Sequence, residues 1–317
     1  MSKKLRVAAL LSHPIPYVVP LMRRLAAHPE IDLTVYFMSD TGLRSRKIAH
    51  YGETIQWDTP LLGGYHHEML ANVSPWQDSA RPYAKLNPGI LTALARGHFD
   101  AIFMHGSMAA TELLTLVAAN AMRVPVLFWG DVLLDSPMIL ASSRWRRLLR
   151  GGFARSIDAA LALSTQARRF YEHHGVPASR IFWAPLCVDS ASWMERTDAL
   201  RPDREALRRA LGVDPALPVI AYVAHMRANK RPRDVVDALA RMKVPASLVM
   251  VGSGPMYDDL VRHCAERAVP RVHLLGTKNH SEVPGIYAMS DVFVLPSGPG
   301  EVTPSWWRRP CAPRCRW

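Results

Sequence analysis

The hydrophobic and polar positions of this chain fall into two successive sets of alternating strand and helix. Leu5 to Leu11 is an apolar run suited to a buried strand, and His13-Pro-Ile-Pro-Tyr17 after it reads as a loop. Residues 18–27 place Leu21, Met22 and Leu25 on one face of an amphipathic helix, and residues 32–37 return as a strand. Residues 40–88 show no sustained period and are expected to be irregular. Beyond them the alternation resumes: helix 90–96, strand 100–104, helix 109–122, strand 124–129, a basic helix 143–153, strand 158–163, helix 165–174 and strand 181–184. Residues 195–217 are charged and read as irregular around a short helix. A second alternating set follows: strand 219–223, helix 232–242, strand 247–251, helix 256–267, strand 271–275, helix 281–289 and strand 291–295.

Strands separated by helices predict parallel sheets, hence an α/β chain of two Rossmann-like domains. The expected boundaries are 1–190 for the first domain, 191–216 for a linker, 217–305 for the second domain and 306–317 for an aberrant tail. The second set counts four strands where a complete domain of this type has about six, so it is expected to be incomplete. The β-loop-α-β opening is of nucleotide-binding type, but His-Pro-Ile-Pro stands in place of a glycine-rich dinucleotide fingerprint.

Composition narrows the functional classes. A hydrophobic content of 49% and a charged content of 21% are those of a soluble globular protein. The apolar run after Lys3, Lys4 and Arg6 ends at His13 and Pro14, too short for a signal peptide, and no run reaches the ~18 residues of a spanning helix. The chain is expected in the cytoplasm. Cys187 and Cys264 are isolated, as reduced thiols would be, and no paired metal ligands appear. Net charge is +12; the last twelve residues supply four arginines and no acid, so residues 1–305 are basic as well. No stacking motif or basic recognition helix points to nucleic acid. Anionic phosphosugar donors, an anionic membrane face touched peripherally, or simply a solvated basic surface would each account for the charge.

The candidate chemistry lies at strand-to-helix junctions of the second set. Ala224-His-Met-Arg-Ala-Asn-Lys230 follows a strand and opens a helix, where a cation beside helix amides favours phosphate. Gly252-Ser-Gly254-Pro is a turn that allows close backbone approach. Gly276-Thr277-Lys278 follows the next strand. Asp291-Val-Phe-Val-Leu-Pro-Ser297-Gly-Pro-Gly-Glu301 ends the last strand in a flexible loop carrying one carboxylate. In the first set, His105-Gly106 ends a strand, with Asp131 and His13 as weaker cleft candidates. Trp57-Asp-Thr-Pro-Leu-Leu-Gly-Gly-Tyr65 reads either as an acceptor-binding insertion or as a packing loop fastened by its two aromatic residues.

These motifs resemble those of the retaining glycosyltransferases of family 4, with the GT-B fold. The resemblance is diffuse in the first domain and specific in residues 218–301. It implies a donor diphosphate held by Lys230, with His225 standing where the family has an arginine and Arg227 available to replace it. It implies a donor cradle at Gly252 and Gly254, nucleobase contacts at Thr277 and Lys278, a proline-serine turn at Ser297, and a sugar-positioning carboxylate at Glu301. His105 corresponds to an active-site histidine. The implied donor is a UDP- or GDP-sugar, the acceptor a hydroxyl on a sugar or glycolipid, and the reaction needs no metal or other cofactor. The implied catalytic set is Glu301, His105 and Lys230.

The family's second glutamate, eight positions after Glu301, is missing; Arg309 stands there. The run Trp306-Trp-Arg-Arg-Pro310 can be written TGG TGG CGG AGG CCN. One added G converts it to Val-Val-Ala-Glu-Ala and returns a glutamate to position 309. Residues 306–317 are therefore expected to be a frameshifted tail, excluded from the fold, with activity impaired. Two alternatives stand beside the transferase reading: a non-catalytic remnant of the same lineage, and an unrelated nucleotide-binding α/β module with no role for Lys230 or Glu301.

Overall fold

In the computed structural model, the described residues are 3–44, 46–48, 53–76, 82–106, 109–130 and 144–298. β1 (Leu5–Leu11) and β2 (Ile31–Phe37) flank helix α1 (Val19–Ala26) and pair in parallel from Leu5 opposite Ile31 to Leu11 opposite Phe37. Ala8 to Leu11 are wholly buried, as expected of a parallel strand covered by helices on both faces. An antiparallel pair, β3 (Arg46–Ile48) and β4 (Glu53–Ile55), stands apart from the sheet, and β5 (His66–Met69) joins it beside β2. The alternation continues through α2 (Gly89–Gly97), β6 (Ala101–Gly106), α3 (Ala110–Met122), β7 (Val126–Gly130), α4 (Arg144–Ser156), β8 (Ala159–Ala162), α5 (Thr165–His173) and β9 (Ile181–Trp183). The resulting parallel sheet has the order β5-β2-β1-β6-β7-β8-β9.

The second unit is built the same way. Helices α6 (Ser190–Leu200) and α7 (Arg204–Ala210) lead into β10 (Val219–Val223), α8 (Pro232–Ala240), β11 (Ser247–Val251), α9 (Tyr257–Glu266), β12 (Val272–Leu274), α10 (Val283–Met289) and β13 (Val292–Phe293). Its described strands form a parallel sheet in the order β12-β11-β10-β13. The sheets have separate cores. Tyr36, Phe37, Phe128 and Phe153 pack in the first, and Val219, Val249, Tyr287 and Phe293 in the second.

An Arg–Asp clasp ties the entry of the second unit to its last strand. Arg208 is 5% exposed; it donates through Nη2 to Asp291 Oδ2 (2.7 Å) and through Nε to the Met289 carbonyl (2.8 Å). Arg204 donates to Asp291 Oδ1 (2.5 Å), and the Val219 N–H donates to Oδ2 (2.8 Å). Burial works against ionisation of Asp291, but these hydrogen bonds and the two guanidinium charges hold its carboxyl below the usual carboxylate range.

The fold differs from the sequence expectation in three places. Residues 40–88 are not wholly irregular: β5 is a polar edge strand, His-His-Glu-Met, whose lack of alternation hid it. Residues 195–217 are mostly helical. Trp193 of α6 packs into the second core with Leu207 of α7 against it, so these helices take their stability from tertiary contact more than from local pattern. The apolar run 292–295 contributes only Val292 and Phe293 to the ladder, opposite Ile220 and Ala221. Asp131, Glu301 and the tail 306–317 lie outside the described residues. Among the described residues no helix is long and apolar enough to cross a membrane.

Candidate active site

In parallel α/β sheets the strand-end loops gather along the carboxyl edge, where ligands bind. In the second unit three of the loops at that edge are tied to one another. The first, Ala224-His225-Met226, leaves β10 and is tied to the loop after β11: Met226 N–H donates to the Ser253 carbonyl (2.9 Å), and His225 Nδ1 lies 3.1 Å from the same oxygen. Because a carbonyl only accepts, His225 carries its proton on Nδ1.

The second loop is Gly252-Ser253-Gly254. Both glycines have positive φ, +125° and +147°. A Cβ at 252 would fall 2.0 Å from the Ala224 carbonyl oxygen, and one at 254 would fall 2.8 Å from that of Met226. The turn therefore passes against the first loop at a distance only glycine permits. The third loop, Gly276-Thr277-Lys278, is joined by the Gly252 N–H to the Gly276 carbonyl (2.8 Å) and by Thr277 Oγ1 to Ser253 Oγ (3.2 Å).

These loops enclose a cavity of about 350 Å³, lined by His225, Gly252, Ser253, Thr277, Lys278 and Glu282, with Val223 and Val251 as apolar wall. Its size suits a small-molecule ligand. Gln56 and Trp57 of the first unit complete the lining. Lys278 Nζ donates to Glu282 Oε1 (2.8 Å), and the Asn279 N–H donates to Oε2 (2.8 Å). The hydrogen bond from Lys278, and then that from Asn279, lowers the Glu282 carboxyl below its ordinary value.

A second group of candidates gathers one strand away. The Gly298 N–H donates to the Asn229 carbonyl (2.8 Å), which brings the Ser297 loop against the turn carrying Lys230. The Tyr222 hydroxyl donates to the Lys230 carbonyl (3.3 Å), and α8 starts two residues later at Pro232. Arg227 is half-buried. Neither Arg227, Lys230 nor Ser297 lines the cavity.

His105 belongs to the first unit. It ends β6 in register with Trp129, the two ring centroids 4.9 Å apart. Burial, then the nearby Lys85 charge, pushes its pKa down to about 4. His13, hydrogen-bonded through Nδ1 to Ser12 Oγ (2.9 Å), is pushed down to about 3 by burial, then by Lys85 and His105. Lys85 is itself lowered by burial, against the pull of Glu112. The Asn87–Thr111 knot fixes its segment: Thr111 Oγ1 donates to the Lys85 carbonyl (2.9 Å) and lies 2.9 Å from Asn87 Oδ1. At neutral pH both histidines are uncharged, suited to hydrogen bonding and not to charge pairing. The structure does not bring His105 into the cavity.

Sequence reasoning missed several of these residues. The Asn279-x-x-Glu282 spacing of a capping box announces the Glu282 contact. Ser253 was visible as the middle residue of the glycine turn. Lys85 gave no signal, since a lone lysine in an aperiodic stretch reads as surface.

Comparison with known proteins bears on this architecture directly. Residues 203–305 match the model of the glycosyl transferases group 1 family. That segment contains every described strand of the second sheet and all three cavity loops. The D-inositol 3-phosphate glycosyltransferase of Mycobacterium tuberculosis is 31% identical over 140 residues, which span 42% of this chain and 27% of that protein. The chain thus matches about a quarter of that relative's length. Among solved structures, Anabaena HepE in complex with UDP and glucose superposes with a TM-score of 0.65 at 17% identity, over 94% of this chain and 76% of HepE. The catalytic domain of starch synthase IV from Arabidopsis thaliana, bound to ADP and acarbose, gives 0.69 at 14% identity, over 97% and 81%. The fold is that of the GT-B glycosyltransferases, in agreement with the sequence expectation.

Proposed function

We propose that the protein is a glycosyltransferase that moves a sugar from a nucleoside-diphosphate donor to a hydroxyl acceptor, with retention at the transferred carbon. The observation that carries the proposal is the glycine turn at 252–254, locked under the 224–226 loop at the mouth of the 350 Å³ cavity. A backbone arranged so closely, with His225 and Lys278 beside it, suits a diphosphate and its nucleoside. The family match of this segment supports the same reading. HepE, of the same fold, is bound to UDP and glucose, which favours a UDP-sugar, with a GDP-sugar as the variant to test.

In this reading Lys230 and the amino-terminal amides of α8 face the leaving diphosphate and offset the negative charge that grows on it. The acceptor hydroxyl oxygen bonds to the anomeric carbon as the bond from that carbon to the diphosphate oxygen breaks, and the hydroxyl proton passes to the departing phosphate. His225 and Arg227 add to the phosphate site, Ser297 borders it, and Glu301 positions the sugar. His105, uncharged, hydrogen-bonds the sugar from the first unit. Cations and amides do the work a metal does elsewhere, so a chelator is expected to leave turnover unchanged.

The acceptor belongs to cell-surface polysaccharide or glycolipid synthesis, met at the inner membrane face. Leu148 and Leu149, 60% and 64% exposed on the arginine-rich α4, support such peripheral contact. The test is to incubate the protein with UDP- and GDP-sugars and glycolipid acceptors, with and without chelator, and to follow nucleoside diphosphate release and the product anomer by NMR. A retained anomer in chelator is the expected result; inversion, or release only with added metal, overturns it.

A further inference from the structure

Gln56, Trp57 and Asp58 belong to the first unit by sequence, yet they are bonded to the second. Asn279 Nδ2 donates to the Gln56 carbonyl (2.8 Å), across 223 positions of sequence. The Asp58 N–H donates to Asn279 Oδ1 (3.3 Å). The Asp58 carboxylate accepts from the Ser281 N–H (3.3 Å to each oxygen) and from the Ser281 hydroxyl.

Trp57 is held from both sides. Its N–H donates to the Gly42 carbonyl (2.9 Å), and Gly42 lies so close to the indole that a Cβ there would come within 2.5 Å of Cδ1. From the second unit His280 meets it edge-on, with centroids 5.1 Å apart; His280 in turn packs on Trp193 at 5.4 Å, and its carbonyl accepts from Arg196 Nη2 (2.8 Å). A rigid indole and the adjoining Gln56 thus close the cavity on the side of Thr277, Lys278 and Asn279.

We infer that Trp57 and Gln56 form the nucleobase wall of the donor pocket, and that Asp58 latches this wall onto Asn279 and Ser281. The inference rests on the donor-site reading of the cavity and deepens it. A planar base needs an apolar face to stack on and polar edges to meet; the indole and the Thr277–Asn279 loop supply these together. The pocket is complete only when the two units are latched.

The test is calorimetric titration of the full 317-residue chain, and of Trp57→Ala, Trp57→Phe and Asp58→Ala, with UDP, GDP and inorganic pyrophosphate. Trp57→Ala is expected to lose about tenfold or more in affinity for the preferred nucleotide, the range of one base–aromatic stack, while pyrophosphate binding stays unchanged. Trp57→Phe restores most of the loss. Asp58→Ala, an exposed substitution that leaves the cores untouched, weakens the nucleotide in the same direction. Unchanged nucleotide affinity in both Asp58→Ala and the Trp57 variants overturns the inference, and so does an equal loss for pyrophosphate. A parent chain that binds neither nucleotide overturns the donor-site reading beneath it.

Discussion

The amide of Gly298 donates to the carbonyl of Asn229 at 2.8 Å, and this bond sets the loop after the last described strand against the turn that carries Lys230. Two segments nearly seventy positions apart thereby meet at the amino end of α8. The charge that the proposed reaction must offset is a departing diphosphate, and Lys230 lies next to Asn229 in sequence. Lys230→Ala is expected to lower kcat/KM about 10- to 100-fold, the range for one charge-assisted hydrogen bond. Arg227→Ala is expected to cost far less. Steady-state kinetics of the two variants decide the matter. Equal losses would mean that His225 and Arg227 share the phosphate site, and undiminished turnover in Lys230→Ala would remove the lysine from it.

The clasp on Asp291 makes a prediction about stability. Removing Arg208 leaves the partly buried Asp291 carboxylate with Arg204 as its one remaining guanidinium partner and takes the donor from the Met289 carbonyl, so Arg208→Ala is expected to destabilise the fold by about 2–4 kcal/mol in denaturant titration. Asp291 is held below the ordinary carboxylate range, so its contribution is fully present above the unfolded pKa near 4 and is lost as pH falls through the lower folded value. The unfolding midpoint of Asp291→Asn should therefore change less than that of the parent between about pH 5 and 2. Parallel slopes would show that the clasp carries no linked proton.

His105 predicts a separate pH window. Its folded pKa, about 4, lies below the ordinary 6.5. Between these values the unfolded chain takes up a proton that the native state refuses. Its contribution is thus complete above pH 6.5 and declines as pH falls toward 4. His105→Asn should make thermal stability fall less steeply across that window, with His13, pushed down to about 3, keeping its own share of the slope, while lowering turnover by disturbing the hydrogen bond to the sugar. A variant whose stability follows the parent throughout the window contradicts the buried, neutral state of this ring.

Much of this molecule was legible along the chain. Continuous apolar runs such as Leu5–Leu11 and Ser247–Val251 announce buried parallel strands, and of the candidates on the loops after β10, β11 and β12, His225, Gly252, Thr277 and Lys278 share one cavity. What escaped had no local signal. The strand His66–Met69 is polar because it lies at a sheet edge, and α6 is helical while Trp193 is buried in a core formed by residues far downstream. The crossing of Trp57 to His280 depends on the packing of two domains, which no periodicity records. Of the two readings of the 57–65 segment, the packing loop is the one seen: Tyr65 is buried in the first core with Trp57 packed against it, and the same segment is also bonded to the opposite domain.

The central claim is that the cavity beneath the 252–254 turn takes a nucleotide-sugar, and the most direct measurement is titration of UDP- and GDP-sugars into the protein in chelating buffer, beside Gly252→Val. Valine at this position must carry φ near +125° and push a side chain into the Ala224 carbonyl, so it closes the cradle. Circular dichroism of the variant confirms that its fold survives. Saturable one-to-one binding of one donor to the parent, abolished in Gly252→Val, is the predicted result. Failure of the parent to bind any donor, or equal binding by a folded Gly252→Val, would contradict it.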